Sequence, residues 1–179
     1  DGPLMVQGTI QLLLGTAFIG TILGATNGWL LSNCRFPGRR WLRIAQLIPL
    51  ATPAYLLSAT LVDLSTREGW RVYGMGWGIV VMALTTYPYV FLLTTESFSV
   101  GSRRQLEACR SLGVGPWASF RRVALPIAAP AIGAGVALMG METINELGAV
   151  QLLGIPSLSA GILETWQTGG NPTLSLIHI

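Results

Sequence analysis

The sequence contains no lysine and little charge of either sign. Its 11 basic residues are all arginine, and charged residues make up 11% of the 179-residue chain, compared with about 25% in soluble domains. A P-loop needs a lysine to reach the phosphates, so an ATPase site of that kind is excluded. The low charge, with 51% hydrophobic residues and a mean hydropathy of +0.56, places the chain among membrane proteins.

Cysteine and histidine are also scarce. Cys34 and Cys109 fall in short arginine-rich loops without metal-ligand spacing, and both are predicted to be free thiols. The single histidine is His178. It lies in residues 174–179, which match the translation of a common transposase-based sequencing adapter, so we expect adapter read-through there; an ordinary apolar helix start is the alternative. No stably bound metal is expected.

Four charge-free stretches are long enough to cross the hydrocarbon core, which takes about 20 apolar residues in a helix. They are Val6 to Leu31, Ile44 to Val62, Val72 to Thr95 and Val123 to Met141. Aromatic residues that favour the membrane interface lie at or near their ends: Trp29, Trp41, Trp70, Tyr73 and Trp77. The sequence therefore predicts an all-α polytopic transmembrane helical bundle with at least four spans.

The loops between these stretches alternate in basic content. The first contains Arg35, Arg39, Arg40 and Arg43, and the third contains Arg103, Arg104, Arg110, Arg121 and Arg122. In the second loop, Arg67 and Arg71 are balanced by two acidic residues. The positive-inside rule then predicts that the first and third loops are cytoplasmic and that the amino end and the segment after Met141 are periplasmic. Since orientation accounts for the basic loops, no nucleic-acid partner is expected.

Glycines and prolines inside the stretches predict how the helices pack. Gly20, Gly24 and Gly28 recur every four residues, so they share one helix face and allow another helix to approach closely. Prolines interrupt the stretches at Pro49, Pro53, Pro88 and Pro130. Such breaks fit either bent helices around a water-filled pathway or kinks that serve packing alone.

The third loop, residues 96–122, predicts two short helices joined by a turn. Ser102 is suited to cap the first helix, Gly113 to end it in the left-handed conformation, and Pro116 to begin the second.

The first of these helices carries a small apolar face among its arginines. Leu106, Cys109 and Leu112 recur at a spacing of three residues, with Gly113 as an alternative to Leu112. The physical chemistry leaves open whether this face contacts a protein partner or lies on anionic lipid.

The same loop resembles the EAA signature of binding-protein-dependent ABC importer permeases. In that pattern Glu-Ala-Ala is followed by three residues and Gly, then by nine residues, Ile, one residue and Leu-Pro. The matching residues are Glu107, Ala108, Gly113, Leu125 and Pro126, whereas Cys109 stands where Ala is usual and Val123 where Ile is usual.

The resemblance implies the fold and the partners. It implies a MetI-like importer-permease core in the inner membrane, with residues 1–173 as one partial transmembrane domain and residues 96–122 as its cytoplasmic coupling loop. In the family this loop seats in a cleft of a cytoplasmic ATPase dimer, and Glu107 would orient it by pairing with an arginine. The chain itself would bind no cofactor and catalyse no reaction, and ATP would be used by the ATPase. A periplasmic solute-binding protein and a second permease half would complete the transporter.

Further stretches are most similar to the ferric iron importer permeases. They include Asn27–Leu30, Phe36–Arg40, Ile48–Tyr55, Tyr87–Val90, Met141–Thr143, Leu153–Ser157 and Gly161–Ile162. Thiamine, phosphonate and polyamine permeases share part of these stretches, so those solutes are alternatives.

Hard Fe(III) prefers carboxylate and phenolate oxygens, so acidic and tyrosine side chains are the candidates for a substrate path. Glu142 and Glu146, four residues apart, are predicted to share a helix face beyond the fourth span; two solvated acids are the alternative. Tyr55, Tyr87 and Tyr89 lie within spans and would line the path or serve packing, with Tyr89 on a different helix face from Tyr87. The segment Leu147–Leu163, interrupted by glycine and proline, is predicted to be extracytoplasmic or re-entrant.

Two other classes of membrane protein fit less well. A membrane enzyme would need clustered His, Asp or Glu inside its spans, which the sequence lacks. A stand-alone secondary transporter would be expected to carry ionisable coupling residues there as well.

Overall fold

Three long helices form the frame of the molecule in the computed structural model, which describes residues 2–101 and 103–169. They are α1 (Gly2–Asn33), α4 (Met75–Glu96) and α7 (Leu125–Asn145). By length and composition, each belongs to a helix that is apolar enough to cross a membrane. No strand occurs in the described residues, so the all-α prediction is confirmed.

The glycine face of α1 packs where the sequence predicted a close helix contact. A Cβ atom on Gly24 would lie 2.7 Å from the Cβ of Val90 and 2.9 Å from the backbone N of Phe91, both in α4. One on Gly20 would lie 2.6 Å from Cε of Met139 in α7. At Gly24 a larger residue would meet the backbone of α4 and push the helices apart, so this glycine sets the distance from α1 to α4. The end of the Met139 side chain could move away from a larger residue at position 20.

The predicted span Ile44 to Val62 is not one continuous helix. It is divided among α2 (Arg39–Ala45), a 3₁₀ turn (Ile48–Ala51) and α3 (Ala54–Glu68), and the two arms meet at an angle of 89°. Thr52, at φ −104° and ψ 107°, is extended because the residue before a proline avoids the helical region. If this bent pair counts as one span, the described chain has four spans; otherwise it has three.

Two short helices follow α7. They are α8 (Gly148–Leu152) and α9 (Leu158–Gly169). Val150 and Leu153 are buried in a core with Leu12 of α1 and Met82 of α4. Within the described residues, which end at Gly169, neither helix is long enough to span a bilayer, and residues 147–163 form no fifth spanning helix.

Some predictions fall outside this description. Ser102, the expected helix cap, and residues 174–179 with His178 lie outside the described residues, as do residues 170–173 of the predicted domain. Cys34 and Cys109 are free thiols, as predicted.

Candidate coupling segment and solute passage

Residues Ser97–Ala124 join α4 to α7 and include all but the first residue of the predicted coupling loop 96–122; we call them the coupling segment. It begins with a π-helical turn (Ser97–Gly101), continues through α5 (Arg103–Ser111) and α6 (Pro116–Ser119), and ends in a second π-helical turn (Phe120–Ala124). The first of the two predicted short helices is present. The second is not separate, because α6 runs through the π turn into α7 as one helix, Pro116–Asn145.

Gly113 ends α5 as its residue type predicted. Its φ of 73° lies in the left-handed region, its N–H donates to the carbonyl of Arg110 at 3.1 Å, and the N–H of Val114 donates to the carbonyl of Cys109 at 2.9 Å. These two bonds form a Schellman motif. Pro116 begins α6, also as predicted. The turn between the helices is therefore tightly defined.

The tip of the coupling segment exposes large apolar side chains. Leu112 is 80% exposed and Trp117 is 68% exposed. Glu107 and Ala108 are also exposed, whereas Cys109 is partly buried. The side chain of Leu106, the third member of the predicted apolar face, is not among those described. Exposed apolar side chains on a short ordered helix are suited to contact with another protein.

A polar cavity of about 280 Å³ lies at the base of the coupling segment. Its lining residues are Ser32, Asn33, Arg35, Arg39, Phe98, Ser99, Glu107 and Arg110. Glu107 and three arginines thus line one cavity. That Glu107 pairs with one of these arginines and so orients the segment stays a prediction.

Leu125 and Pro126, the final positions of the signature pattern, begin α7. Leu125 packs against a buried cluster that includes Phe98 and Phe120. The signature therefore extends from the exposed coupling helix to the first turn of a long helix.

A second cavity, of about 230 Å³, lies against the break between the 3₁₀ turn and α3. Its lining residues are Pro49, Leu50, Ala51, Thr52, Pro53, Ala54, Met82, Thr85, Thr86, Tyr89, Glu142 and Glu146. We call it the broken-span cavity. It is lined by two carboxylates and a phenol, with no basic side chain among these residues.

Glu142 and Glu146 both line this cavity, but they do not share a helix face. The helix α7 ends at Asn145, and Glu146 has extended backbone angles of φ −71° and ψ 117°. Its Oε1 accepts a hydrogen bond from the backbone N–H of Ala149 at 2.8 Å, at the start of α8. The expectation of an i, i+4 pair was wrong because Glu146 leaves the helix to cap the next one.

The three tyrosines offered for the path lie in different places. Tyr87 does not line the broken-span cavity; its hydroxyl donates to the carbonyl of Gln46 at 3.5 Å. Tyr55 is 49% exposed and its ring packs against Gly148. Tyr89, which the sequence also offered for the path, does line the cavity, together with Thr85 and Thr86 of the same helix.

No group of three or more His, Cys, Asp or Glu side chains in the described residues is arranged to hold a metal ion. Two acidic side chains, Glu142 and Glu146, line the broken-span cavity.

The sequence of most of the chain, including this segment, matches a known protein family. A family model described as "Binding-protein-dependent transport system inner membrane component" matches residues 11–174. The chain belongs to this family. The MetI-like permease fold of ABC importers, expected from the resemblance, is thereby confirmed.

Curated relatives in this family carry several solutes. The Fe(3+)-transport system permease protein FbpB 2 of Haemophilus influenzae is 29% identical over 93% of this chain and 33% of its own length. The sulfate transport system permease protein CysT of Escherichia coli is 32% identical over 81% of this chain and 58% of its own length. A molybdate/tungstate permease protein, WtpB of Thermococcus kodakarensis, is 23% identical over 88% of this chain and 63% of its own length. The chain thus spans a third to under two thirds of these relatives.

Proposed function

We propose that this chain is part of the membrane permease of an ATP-driven importer, and that it moves ferric iron delivered by a periplasmic binding protein. A cytoplasmic ATPase dimer would supply the energy, and a second permease half would complete the pathway. The chain itself would catalyse nothing. The observation that carries the proposal is the coupling segment, which combines the signature residues with an exposed helix ended by a Schellman motif.

The geometry supports a mechanical role for this segment. The helix Pro116–Asn145 is 30 residues long, or about 45 Å at 1.5 Å per residue. One end carries the exposed Trp117, and the other end carries Glu142 beside the broken-span cavity. A rigid-body shift of α5 and α6 by the ATPase would therefore move one wall of that cavity.

The charge of the broken-span cavity supports a cation as the solute. Glu142 and Glu146 supply carboxylates and Tyr89 supplies a phenol, which are the oxygen groups preferred by hard Fe(III). Sulfate is the second candidate, since a sulfate permease is 32% identical to this chain. However, a dianion beside two carboxylates would be repelled, and no lining residue of this cavity compensates for that charge.

The coupling role is tested by ATP-driven uptake in proteoliposomes that contain the natural protein, its ATPase and its binding protein. Gly113→Pro forces φ to about −65°, where the Schellman motif needs +73°, so uptake should be lost. The matched control is Gly115→Ala, because Gly115 has an ordinary φ of −62° and open space at its Cβ position. Normal uptake by Gly113→Pro, or equal loss in both variants, would contradict the coupling role.

The solute is tested in the same vesicles with labelled Fe(III) and labelled sulfate. We expect iron to accumulate and sulfate to be ignored. Glu142→Gln, which preserves shape but removes charge, should slow iron uptake while leaving ATP hydrolysis in place. Pumping of sulfate in place of iron would leave the importer role standing and refute the ferric assignment.

A further inference from the structure

Both ends of the coupling segment are π-helical turns that bring an aromatic ring inward. Phe98 lies in the first turn and Phe120 opens the second; they are 1% and 9% exposed, respectively. Their ring centroids are 6.3 Å apart. Because π-helical turns are rare and occur frequently at functional sites, a pair of them at the two ends of one segment needs an explanation.

A single residue of α1 contacts both rings. The indole of Trp29 lies 5.4 Å from the ring of Phe98 in an edge-to-face arrangement and 5.0 Å from the ring of Phe120. We call Trp29, Phe98 and Phe120 the aromatic bridge. The exposed Trp117 stacks on Phe120 at 5.5 Å, so the bridge is continuous with the surface of the coupling segment.

The part of α1 that carries Trp29 is also held to α4. A Cβ atom on the neighbouring Gly28 would lie 2.5 Å from Oγ1 of Thr94. One turn later, the hydroxyl of Ser32 donates to the carbonyl of Thr95 at 3.2 Å. A displacement at Trp29 would therefore also act on the contact between α1 and α4.

We propose that Trp29 is a positioning residue through which movement of the coupling segment reaches α1. The segment is covalently joined to α4 and α7 alone, and the aromatic bridge adds α1 as a third helix that must move with it. This inference rests on the proposed coupling role. The signature residues all lie within 107–126 and therefore do not include α1. The inference adds α1 to the elements that carry the movement from the ATPase into the membrane.

The experiment compares Trp29→Ala with Trp29→Phe in the natural protein, reconstituted with its ATPase and binding protein. Uptake and ATP hydrolysis are measured together, and the readout is solute moved per ATP hydrolysed. Trp29→Ala should lower this ratio by about fivefold, which is the smallest factor typical of energetic coupling between two sites. Trp29→Phe, which keeps an aromatic ring, should retain most of the ratio of the unsubstituted protein. A residue that serves only stability would lower the amount of transporter and leave the ratio unchanged.

Trp41→Ala is the matched control. Trp41 lies in α2 close to the same end of the bundle, is 76% exposed and makes no ring contact in the described residues. If Trp29→Ala does not assemble, Trp29→Leu, which keeps apolar volume without a ring, replaces it. A ratio equal to that of Trp41→Ala in every Trp29 variant that assembles overturns the inference.

The two proposals fail in different ways. If Gly113→Pro stops uptake and the Trp29 variants keep the normal ratio, the coupling segment stands and the aromatic bridge does not transmit. If Gly113→Pro leaves uptake normal, the coupling role itself fails.

Discussion

Small residues line two surfaces of this molecule, but only one of the surfaces is covered. The first is the contact between α1 and α4, and the second is the outer face of α7. In the helix that contains α4, 56% of the most apolar stretch of 18 residues is buried against the rest of the chain. In the helix that contains α7, the corresponding share is 22%. On α1 a neighbouring helix fills the space beside the small residues. On α7 the small residues are exposed; they are Ala129, Gly133, Ala134 and Ala137.

The difference shows where this chain completes its own contacts and where it leaves them open. Small residues let helices approach closely in a membrane, so an exposed face of this composition is suited to another helix. The second permease half that we propose would supply such a helix. Substitutions of glycine on the two surfaces test the contrast.

The largest effect is expected from Gly24→Leu. Its side chain would meet Val90 and the backbone of Phe91, which cannot move without separating α1 from α4. We expect a loss of about 3 kcal/mol, the upper end for overpacking. The measurement is the thermal unfolding midpoint of the natural protein in detergent. An unchanged midpoint would mean that the two helices are not held this closely.

A smaller effect is expected from Gly28→Ala. The new Cβ would lie 2.5 Å from Oγ1 of Thr94, which is a side-chain atom. Because this side chain can be displaced, the expected cost is about 1 kcal/mol.

Thr94→Ala removes the obstructing atom, so the double variant should recover most of that stability. A double-mutant cycle on the unfolding midpoint measures the interaction directly. Additive losses would exclude contact between the two positions.

The smallest effect, of opposite sign, is expected from Gly133→Ala. No atom lies within 4 Å of the added Cβ, and replacing glycine by alanine inside a helix stabilises by about 0.5–1 kcal/mol. The unfolding midpoint in detergent should therefore rise slightly. A fall as large as that of Gly28→Ala would remove the contrast between the surfaces.

Some features of the site followed from the sequence because they depend on neighbours along the chain. Gly113 ends α5 with a positive φ since glycine carries no Cβ to oppose that conformation. Pro116 starts α6 for a similarly local reason. The four-residue glycine spacing on α1 indicated a contact face, but not which helices would fill it.

The sequence mistook one feature of the site and left another open. Glu146 was expected to share a helix face with Glu142, but its carboxylate accepts a hydrogen bond from Ala149 at the start of α8, where the backbone leaves the helix. The sequence offered Tyr87 and Tyr89 alike, and which of them reaches the broken-span cavity depends on how α4 is rotated against the bent arm.

By itself, the sequence determined the class of molecule, the three long helices, the coupling signature and the way α5 ends. Each of these depends on hydropathy or on interactions within a few residues, which any chain with this sequence has. Only the tertiary structure decided the 89° bend in the second stretch, the gathering of Glu142, Glu146 and Tyr89 around one cavity, and the contact of Trp29 with both π turns. These depend on the rotation and spacing of whole helices, which are set by packing across the bundle.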